Sequence, residues 1–521
     1  MSKKKFSLVD MEFSQTTQSV VNLVANVLSF AVSLVISFFI SPFIVKHLGV
    51  EANGFVTLSS NFVSYANVLK AALNSVGSRY IMVSYHKGDF EKANKYYSSL
   101  FYGDLFLGAI FSVVSALCVW KLENLINIPD NLVKDVKIMF GIIFLNFVFN
   151  TITTIFSSAP YIKNKIYLQS IRDIQSSLVR AILLLVLFSF FAPNVYYTGL
   201  AALIPNMVVI MYNIYYKKKL VPELKVSRKN FSIATIKELV SQGIWNSITQ
   251  IGMLLCTGLD LLIANLYISE TDMGILSVAK SMPNVISGLT SSLASVFYAQ
   301  MILYYAKDDL EGLTKIVKRS SMIIGAIVTI PVAFLISYGT EFYSLWQPTL
   351  DAKQLQMLSI LTALTYVFYA GGTNISNIFT ITLHVKQNAS AIIVTGFASI
   401  VVTLLLLKYT NLGIIAIAAV SPILSIIRII FFNIPQTAKY IGKKKTEFAP
   451  VILRSVLGTV ILSGLGYLLK LVLPADSWVM LILSAVVFGV LSLGLNVIVF
   501  MNKDSRKEFG GMIKAKLHIS K

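Results

Sequence analysis

Residues 274–295 read GILSVAKSMPNVISGLTSSLAS, an apolar stretch long enough to cross a membrane that also carries a regular series of polar side chains. These recur every three or four residues and are Ser277, Lys280, Asn284, Ser287, Ser291 and Ser295. On a helix they share one face, and Pro283 and Gly288 can bend that helix. Because polar residues within a membrane face other helices or a water-filled cavity, we interpret this stretch as one wall of a polar passage.

The composition places the whole chain in a membrane. Of its 521 residues, 56% are hydrophobic and only 13% are charged, whereas soluble chains have roughly 25% charged residues. Apolar runs of about 20 residues, enough for a ~30 Å hydrocarbon core, recur from end to end and leave no room for a soluble domain. The first run, residues 20–45, is too long for a signal peptide and is expected to be a permanent span.

We predict an all-α polytopic membrane protein with about 14 transmembrane helices. Their expected bounds are 18–45, 54–79, 98–120, 138–159, 172–192, 198–216, 239–266, 273–300, 320–345, 355–383, 389–408, 412–434, 451–473 and 479–501. Most of the 44 Lys and Arg, including the basic runs at residues 3–5 and after residue 503, then lie on the side of the N-terminus. The positive-inside rule therefore predicts cytoplasmic N- and C-termini.

The net charge of +20 follows from this topology and from attraction to lipid headgroups, so no nucleic acid partner is expected. The two cysteines lie inside predicted spans, and the four histidines lack the spacing of metal ligands. No disulfide, metal or cofactor is predicted.

An internal repeat relates the two halves at an offset of about 220 residues. Gly54 matches Gly274, and the loop 87–91 (KGDFE) matches the loop 307–311 (KDDLE). Six spans separate the halves, so they keep the same orientation and predict two parallel six-helix lobes followed by two extra C-terminal helices. The predicted domains are 1–217, 218–434 and 435–521.

Polar faces recur on the first two helices of each lobe, which predicts that these helices line a cavity between the lobes. The candidate ligand-binding side chains in and near the spans are Lys70, Lys280, Arg79, Arg180, Arg428, Asn26, Asn67, Asn74, Asn246 and Asn284. Asp260 either pairs with Lys280 or binds a coupling cation. The excess of cations favours an anionic ligand, and phosphate suits both the point charge of Lys and the fork of Arg.

Structural alternatives stay open for several of these residues. Serines and asparagines within spans also serve as packing contacts between helices. Arg180 could form an ion pair with Asp173, and Arg428 could extend to the membrane surface.

The segment 47–97, HLGVEANGFVTLSSNFVSYANVLKAALNSVGSRYIMVSYHKGDFEKANKYY, resembles a known family. Its features are Leu48-Gly49 followed by Gly54, Arg79-Tyr80 at a helix end, and the charged loop that starts at Lys87. It is similar to Wzx-type bacterial polysaccharide flippases of the multidrug/oligosaccharidyl-lipid/polysaccharide (MOP) exporter superfamily, which the number of spans and the repeat also fit.

The resemblance implies that an undecaprenyl-diphosphate-linked oligosaccharide is flipped across the bacterial cytoplasmic membrane by alternating access of two rocking lobes. It also implies that cations hold the diphosphate or acidic sugars, and Arg79 is the residue carried over from the motif. The expected partners are this lipid-linked glycan and membrane lipids, with glycan polymerases or glycosyltransferases as candidate protein partners.

Other functions stay open at this point. A flippase for the peptidoglycan lipid precursor would share the architecture. A cation-coupled multidrug antiporter would need more buried carboxylates, and no acidic coupling site is evident in the first lobe. An enzyme is not expected, because the sequence shows neither a nucleophile–base pair nor a metal cluster.

Overall fold

The computed structural model describes residue 9, residue 11 and residues 14–496 of the chain. The predicted basic termini, and the end of the predicted span 479–501, lie outside these residues. The described part consists of helices and their connections, without a β-strand. The predicted all-α class is therefore confirmed.

The chain forms two compact units. The first contains the residues up to Leu254 together with Ser269–Gly274, and the second contains Leu255–Ile268 and the residues from Ile275 onward. The helices up to Leu254 are α1 Gln15–Leu48, α2 Val50–Asn74, α3 Gly77–His86, α4 Phe90–Trp120, α5 Leu122–Leu125, α6 Val133–Thr153, α7 Ala159–Ile162, α8 Tyr167–Phe190, α9 Tyr197–Leu220 and α10 Ile233–Met253.

The helices after Leu254 lie in the second unit, except that the first turn of α12 belongs to the first. They are α11 Asp260–Tyr267, α12 Glu270–Ala279, α13 Ser281–Ala306, α14 Leu310–Trp346, α15 Ala352–Ile381, α16 Val385–Tyr409, α17 Ile414–Arg428, α18 Ile434–Tyr440, α19 Ala449–Val472 and α20 Trp478–Leu495. Two π-helical turns, Leu254–Gly258 and Ile429–Asn433, interrupt the apolar helices.

Within the described residues, twelve helices are long and apolar enough to cross a membrane, or thirteen if the bent pair Ile233–Gly258 and Asp260–Tyr267 is one span. This is close to the predicted 14. The main difference lies at the predicted second span, 54–79, which the structure divides into α2 and α3 with a turn at residues 75–76. The many serines and asparagines of α2 make it less apolar than the other long helices.

The two loops matched by the repeat have the same conformation. Asp89 and Asp309 cap α4 and α14 with nearly identical backbone angles, φ −83°, ψ 75° and φ −86°, ψ 77°. Each carboxylate accepts a hydrogen bond from the backbone N–H three residues later. The preceding residues, Gly88 and Asp308, both adopt a positive φ, which Gly and Asp tolerate better than most residues.

Residues at equivalent positions of the repeat also contact each other inside the first unit. Thr271 Oγ1 donates a hydrogen bond of 2.7 Å to Glu51 Oε1, a residue 220 positions away. A Cβ on Gly54 would lie 2.9 Å from the Cα of Gly274 and 2.8 Å from the terminal methyl of Met273. The two matched glycines therefore permit a close approach of the starts of α2 and α12.

The predicted boundaries 1–217 and 218–434 follow the repeat, whereas the compact units follow packing. α10 packs against α2 in the first unit, where Ser247 Oγ donates to the Val68 carbonyl at 2.8 Å. Gly243 permits this approach, because a Cβ there would collide with the backbone of Ala72. The lobe organisation stays a prediction.

Candidate functional site

A polar cluster of the second unit surrounds the π-helical turn that precedes α11. The carbonyl oxygens of this turn accept hydrogen bonds from side chains of other helices: Ser421 Oγ donates to Cys256 O, and Lys280 Nζ donates to Thr257 O at 3.0 Å. A π turn disturbs the regular helical hydrogen bonds and is frequent at functional sites. Here it supplies one backbone acceptor to the half-buried Lys280 and another to Ser421.

Lys280 also forms an ion pair with Asp260, the first residue of α11. The Lys280 Nζ to Asp260 Oδ2 distance is 2.6 Å, and the side chains are only 12% and 16% exposed. For Asp260 the sequence leaves open an ion pair with Lys280 or a bound coupling cation, and the structure contains the ion pair.

The α-helix is interrupted at Lys280, the single residue between α12 and α13. Pro283 has no N–H to donate to the carbonyl of Ala279, and the Oγ of Ser359 donates to that carbonyl instead, at 2.6 Å. The hydroxyl of Tyr343 lies 2.5 Å from the same Oγ. Because Ser359 has a single hydroxyl proton, Tyr343 donates to it. The interruption of the helix at Lys280 is thus stabilised by two buried hydrogen bonds.

The first unit contains a second polar cluster, formed by α2 and α4. Asn74 Nδ2 donates to Asp104 Oδ1 at 2.6 Å, and Asp104 is fully buried. Its Oδ2 has no hydrogen-bond partner within the described part of the chain. Lys70 lies within electrostatic range of this carboxylate but forms no ion pair with it in the described residues.

Asp104 is the residue that sequence reasoning missed. Its position near the start of an apolar span is typical of a solvated side chain, so it is absent from the candidate residues predicted from the sequence. The available signal was the polar face of α2, which carries Lys70 and Asn74 and faces a carboxylate on α4.

The remaining predicted amides do not join either cluster. Asn26, Asn246 and Asn284 are exposed, and Asn67 is half-buried. Arg79 is exposed on α3. In the part of the chain that the structure describes, no hydrogen bond links these five side chains to Lys70, Lys280 or their partners.

Neither predicted arginine has a hydrogen bond to either cluster in the described part of the chain, although Arg428 lies within electrostatic range of the Cys256 side chain. Asp173 pairs with Arg172 at 3.2 Å, so the proposed pair between Asp173 and Arg180 is not formed. The Nε atoms of Arg180 and Arg428 are buried without a hydrogen-bond partner among the described residues. Arg428 lines a cavity of about 740 Å³ between α16 and α17.

Comparisons with known proteins agree with the transporter architecture. The sequence model of a family described as "Polysaccharide biosynthesis protein" matches residues 19–298. The uncharacterized membrane protein EpsK of Bacillus subtilis (strain 168) is 29% identical over 469 residues, which make up 89% of this chain and 92% of EpsK.

Two solved structures share the fold. An inward-facing multidrug resistance MATE family transporter of the MOP superfamily superposes with a TM-score of 0.68 at 14% identity, over 81% of this chain and 98% of its own. The lipid II flippase MurJ, in an inward closed conformation, gives a TM-score of 0.67 at 16% identity, over 92% of this chain and 98% of its own. The family match confirms the predicted relation to polysaccharide biosynthesis proteins, and these structures confirm a fold like that of MOP-superfamily transporters.

Proposed function

The chain belongs to the polysaccharide biosynthesis protein family, and from this premise we propose that it flips an undecaprenyl-diphosphate-linked oligosaccharide across the bacterial cytoplasmic membrane. It is a multi-pass membrane protein with the fold of MOP transporters. In the proposed orientation both termini are cytoplasmic, and the glycan moves from the inner to the outer leaflet by alternating access.

The observation that carries the proposal is the Lys280–Asp260 pair, which lies in segments that are long and apolar enough to cross a membrane. A charge inside a membrane is costly and is usually retained for function. Lys280 has three N–H donors, and its described partners are one carboxylate oxygen and one carbonyl oxygen. A phosphate oxygen can take the third position or compete with Asp260 for the ammonium.

Lys70 supplies a comparable cation in the first unit. It is half-buried on α2, close to Asp104 but not bonded to it. We propose that Lys70 in the first unit and Lys280 in the second unit are each a ligand for the diphosphate of the cargo. Asn67, Asn74, Asn246 and Asn284 are proposed to contact sugars or phosphate.

Two relatives by fold suggest other cargoes. A peptidoglycan lipid precursor carries the same polyprenyl diphosphate, and the MurJ-like fold is compatible with it. A cation-coupled multidrug antiporter is the second candidate function. The buried carboxylate of Asp104, with one unpartnered oxygen, is the observation that favours it. No enzymatic step is proposed.

Reconstitution separates these candidates. Proteoliposomes that contain the full chain and a fluorescent polyprenyl-diphosphate oligosaccharide are treated with a membrane-impermeant quencher. We expect the protein to increase the rate at which the inner pool becomes accessible, relative to empty liposomes. Gradient-driven efflux of a cationic dye, without glycan flipping, would instead support the antiporter.

A further inference from the structure

The proposed transport cycle does not use a cavity of the second unit that lies between α16 and α17. It has a volume of about 740 Å³. Neither Lys280 nor Asp260 lines it. Its charged residues are Arg428 and Lys386.

The lining changes character along the two helices. α16 contributes positions 386, 387, 390, 391, 394, 395 and 398, one helical stripe that spans roughly 18 Å at 1.5 Å per residue. Lys386, Gln387 and Ser390 make the first part of this stripe polar, whereas Val394 and Ala398 make the rest mostly apolar. Such a surface matches an amphiphile with a compact charged head and a hydrocarbon chain.

Arg428 is positioned to hold an anionic head. It is the last residue of α17, directly before the π-helical turn Ile429–Asn433. Its Nε is buried and has no hydrogen-bond partner in the described part of the chain. A guanidinium binds a phosphate through parallel N–H donors, and the nearby Lys386 adds a second positive charge to the cavity.

The apolar walls of the cavity are open to the surroundings of the protein. Val394 is 68% exposed, Phe431 75% and Ile427 45% in the second unit. The cavity lies at the end of α16 that is predicted to face the cytoplasm, where anionic lipids attract basic residues. Its uncharged polar lining consists of Gln387, Ser390 and Thr395, so it offers few partners to the many hydroxyl groups of an oligosaccharide.

We infer that this cavity is a binding site for an anionic glycerophospholipid, whose phosphate contacts Arg428 and Lys386 and whose acyl chain lies along α16 and α17. The lipid is a resident of the membrane rather than the cargo. The site gives the protein a preference for anionic over zwitterionic lipid that is independent of transport.

Native mass spectrometry tests this inference on the full chain. The protein is released from nanodiscs made of equal parts of phosphatidylglycerol and phosphatidylcholine with the same acyl chains, and the retained lipids are identified. We expect phosphatidylglycerol to be retained preferentially. Arg428→Gln should lower this preference at least about tenfold, as expected for the loss of a charge-assisted hydrogen bond, whereas Arg428→Lys should keep part of it.

Two further variants keep the test independent of folding effects at Arg428. Lys386→Gln should also reduce the preference, whereas Lys408→Gln, at the opposite end of the same helix, should not. Equal retention of the two lipids by the wild type, or an unchanged preference in both Arg428→Gln and Lys386→Gln, would overturn the inference. Displacement of phosphatidylglycerol by undecaprenyl phosphate would also overturn it, because the cavity would then belong to the cargo.

Discussion

Neutralising the buried pair of Lys280 and Asp260 separates a structural role from a transport role. The single variants Lys280→Gln and Asp260→Asn each leave one charge without its partner at a site that is less than a fifth exposed. Breaking a buried ion pair in this way costs about 3–5 kcal/mol. The double variant leaves no charge, and replacing a whole buried pair is often close to neutral.

The free energy of unfolding and the rate of flipping are measured for the same four proteins. We expect each single variant to lose about 3–5 kcal/mol of stability and the double variant to recover most of it. Flipping of the fluorescent polyprenyl-diphosphate glycan should nevertheless be abolished in the double variant, because no ammonium remains at position 280 to bind the phosphate.

The chain offers a matched control in the pair of Lys470 and Glu341, which is 2.5 Å long and also lies in the second unit. The double variant Lys470→Gln/Glu341→Gln should flip the glycan at the wild-type rate. Wild-type flipping by Lys280→Gln/Asp260→Asn would show that Lys280 does not bind the cargo phosphate, since the pair would then serve only to stabilise the fold.

Three further variants test the packing and the surface charge. Asp104→Leu should lower the free energy of unfolding by about 1–3 kcal/mol, because it leaves the half-buried amide of Asn74 with only a long hydrogen bond of 3.4 Å to the Lys70 carbonyl. Gly54→Leu should cost about 1–3 kcal/mol or more, since its side chain would collide with Gly274. The hydrogen bond from Lys318 holds the pKa of Glu447 below its ordinary value. Glu447→Gln should therefore lose less than about 1 kcal/mol, and this difference should be present above about pH 4.3 and vanish as the pH falls through the lowered pKa.

Denaturant or thermal unfolding of the purified full chain measures the free energy of unfolding of all three variants. The first two are compared with control variants, and Glu447→Gln is compared with the wild type at different pH values. Asp104→Asn keeps an oxygen acceptor for Asn74 and should stay near wild-type stability. Gly141→Leu introduces the same side chain on α6, where nothing lies within 4 Å of the added Cβ, and should be tolerated. A stability difference for Glu447→Gln that persists unchanged at acidic pH would contradict the assignment of that pair.

The fold could be predicted largely from the apolar runs and the repeat, because both leave direct marks in the sequence. The two loops matched by the repeat have the same conformation, since Asp89 and Asp309 cap the following helices with nearly the same backbone angles. The second span was harder to predict, since serines and asparagines on α2 make a polar helix whose end at Asn74 has no strong sequence signal.

The site could be predicted only in part. Lys280 and Asp260 stood out because charges are rare in apolar spans, and the structure brings them together at 2.6 Å. Burial of Asp104 depends on how α2 packs against α4, which the periodicity of either helix does not specify. The sequence suggests Arg180 as the candidate partner of Asp173, whereas the side-chain geometry has Arg172 in that place.

An experiment in the host cell gives the most direct test of whether the protein transports a polyprenyl-diphosphate-linked oligosaccharide. The protein is depleted, and lipid-linked glycans are extracted and measured by mass spectrometry after a membrane-impermeant reagent has modified the outer leaflet. We expect an unmodified diphosphate-linked oligosaccharide to accumulate on the inner leaflet. An unchanged glycan pool, together with retention of cationic dyes by the depleted cells, would contradict it.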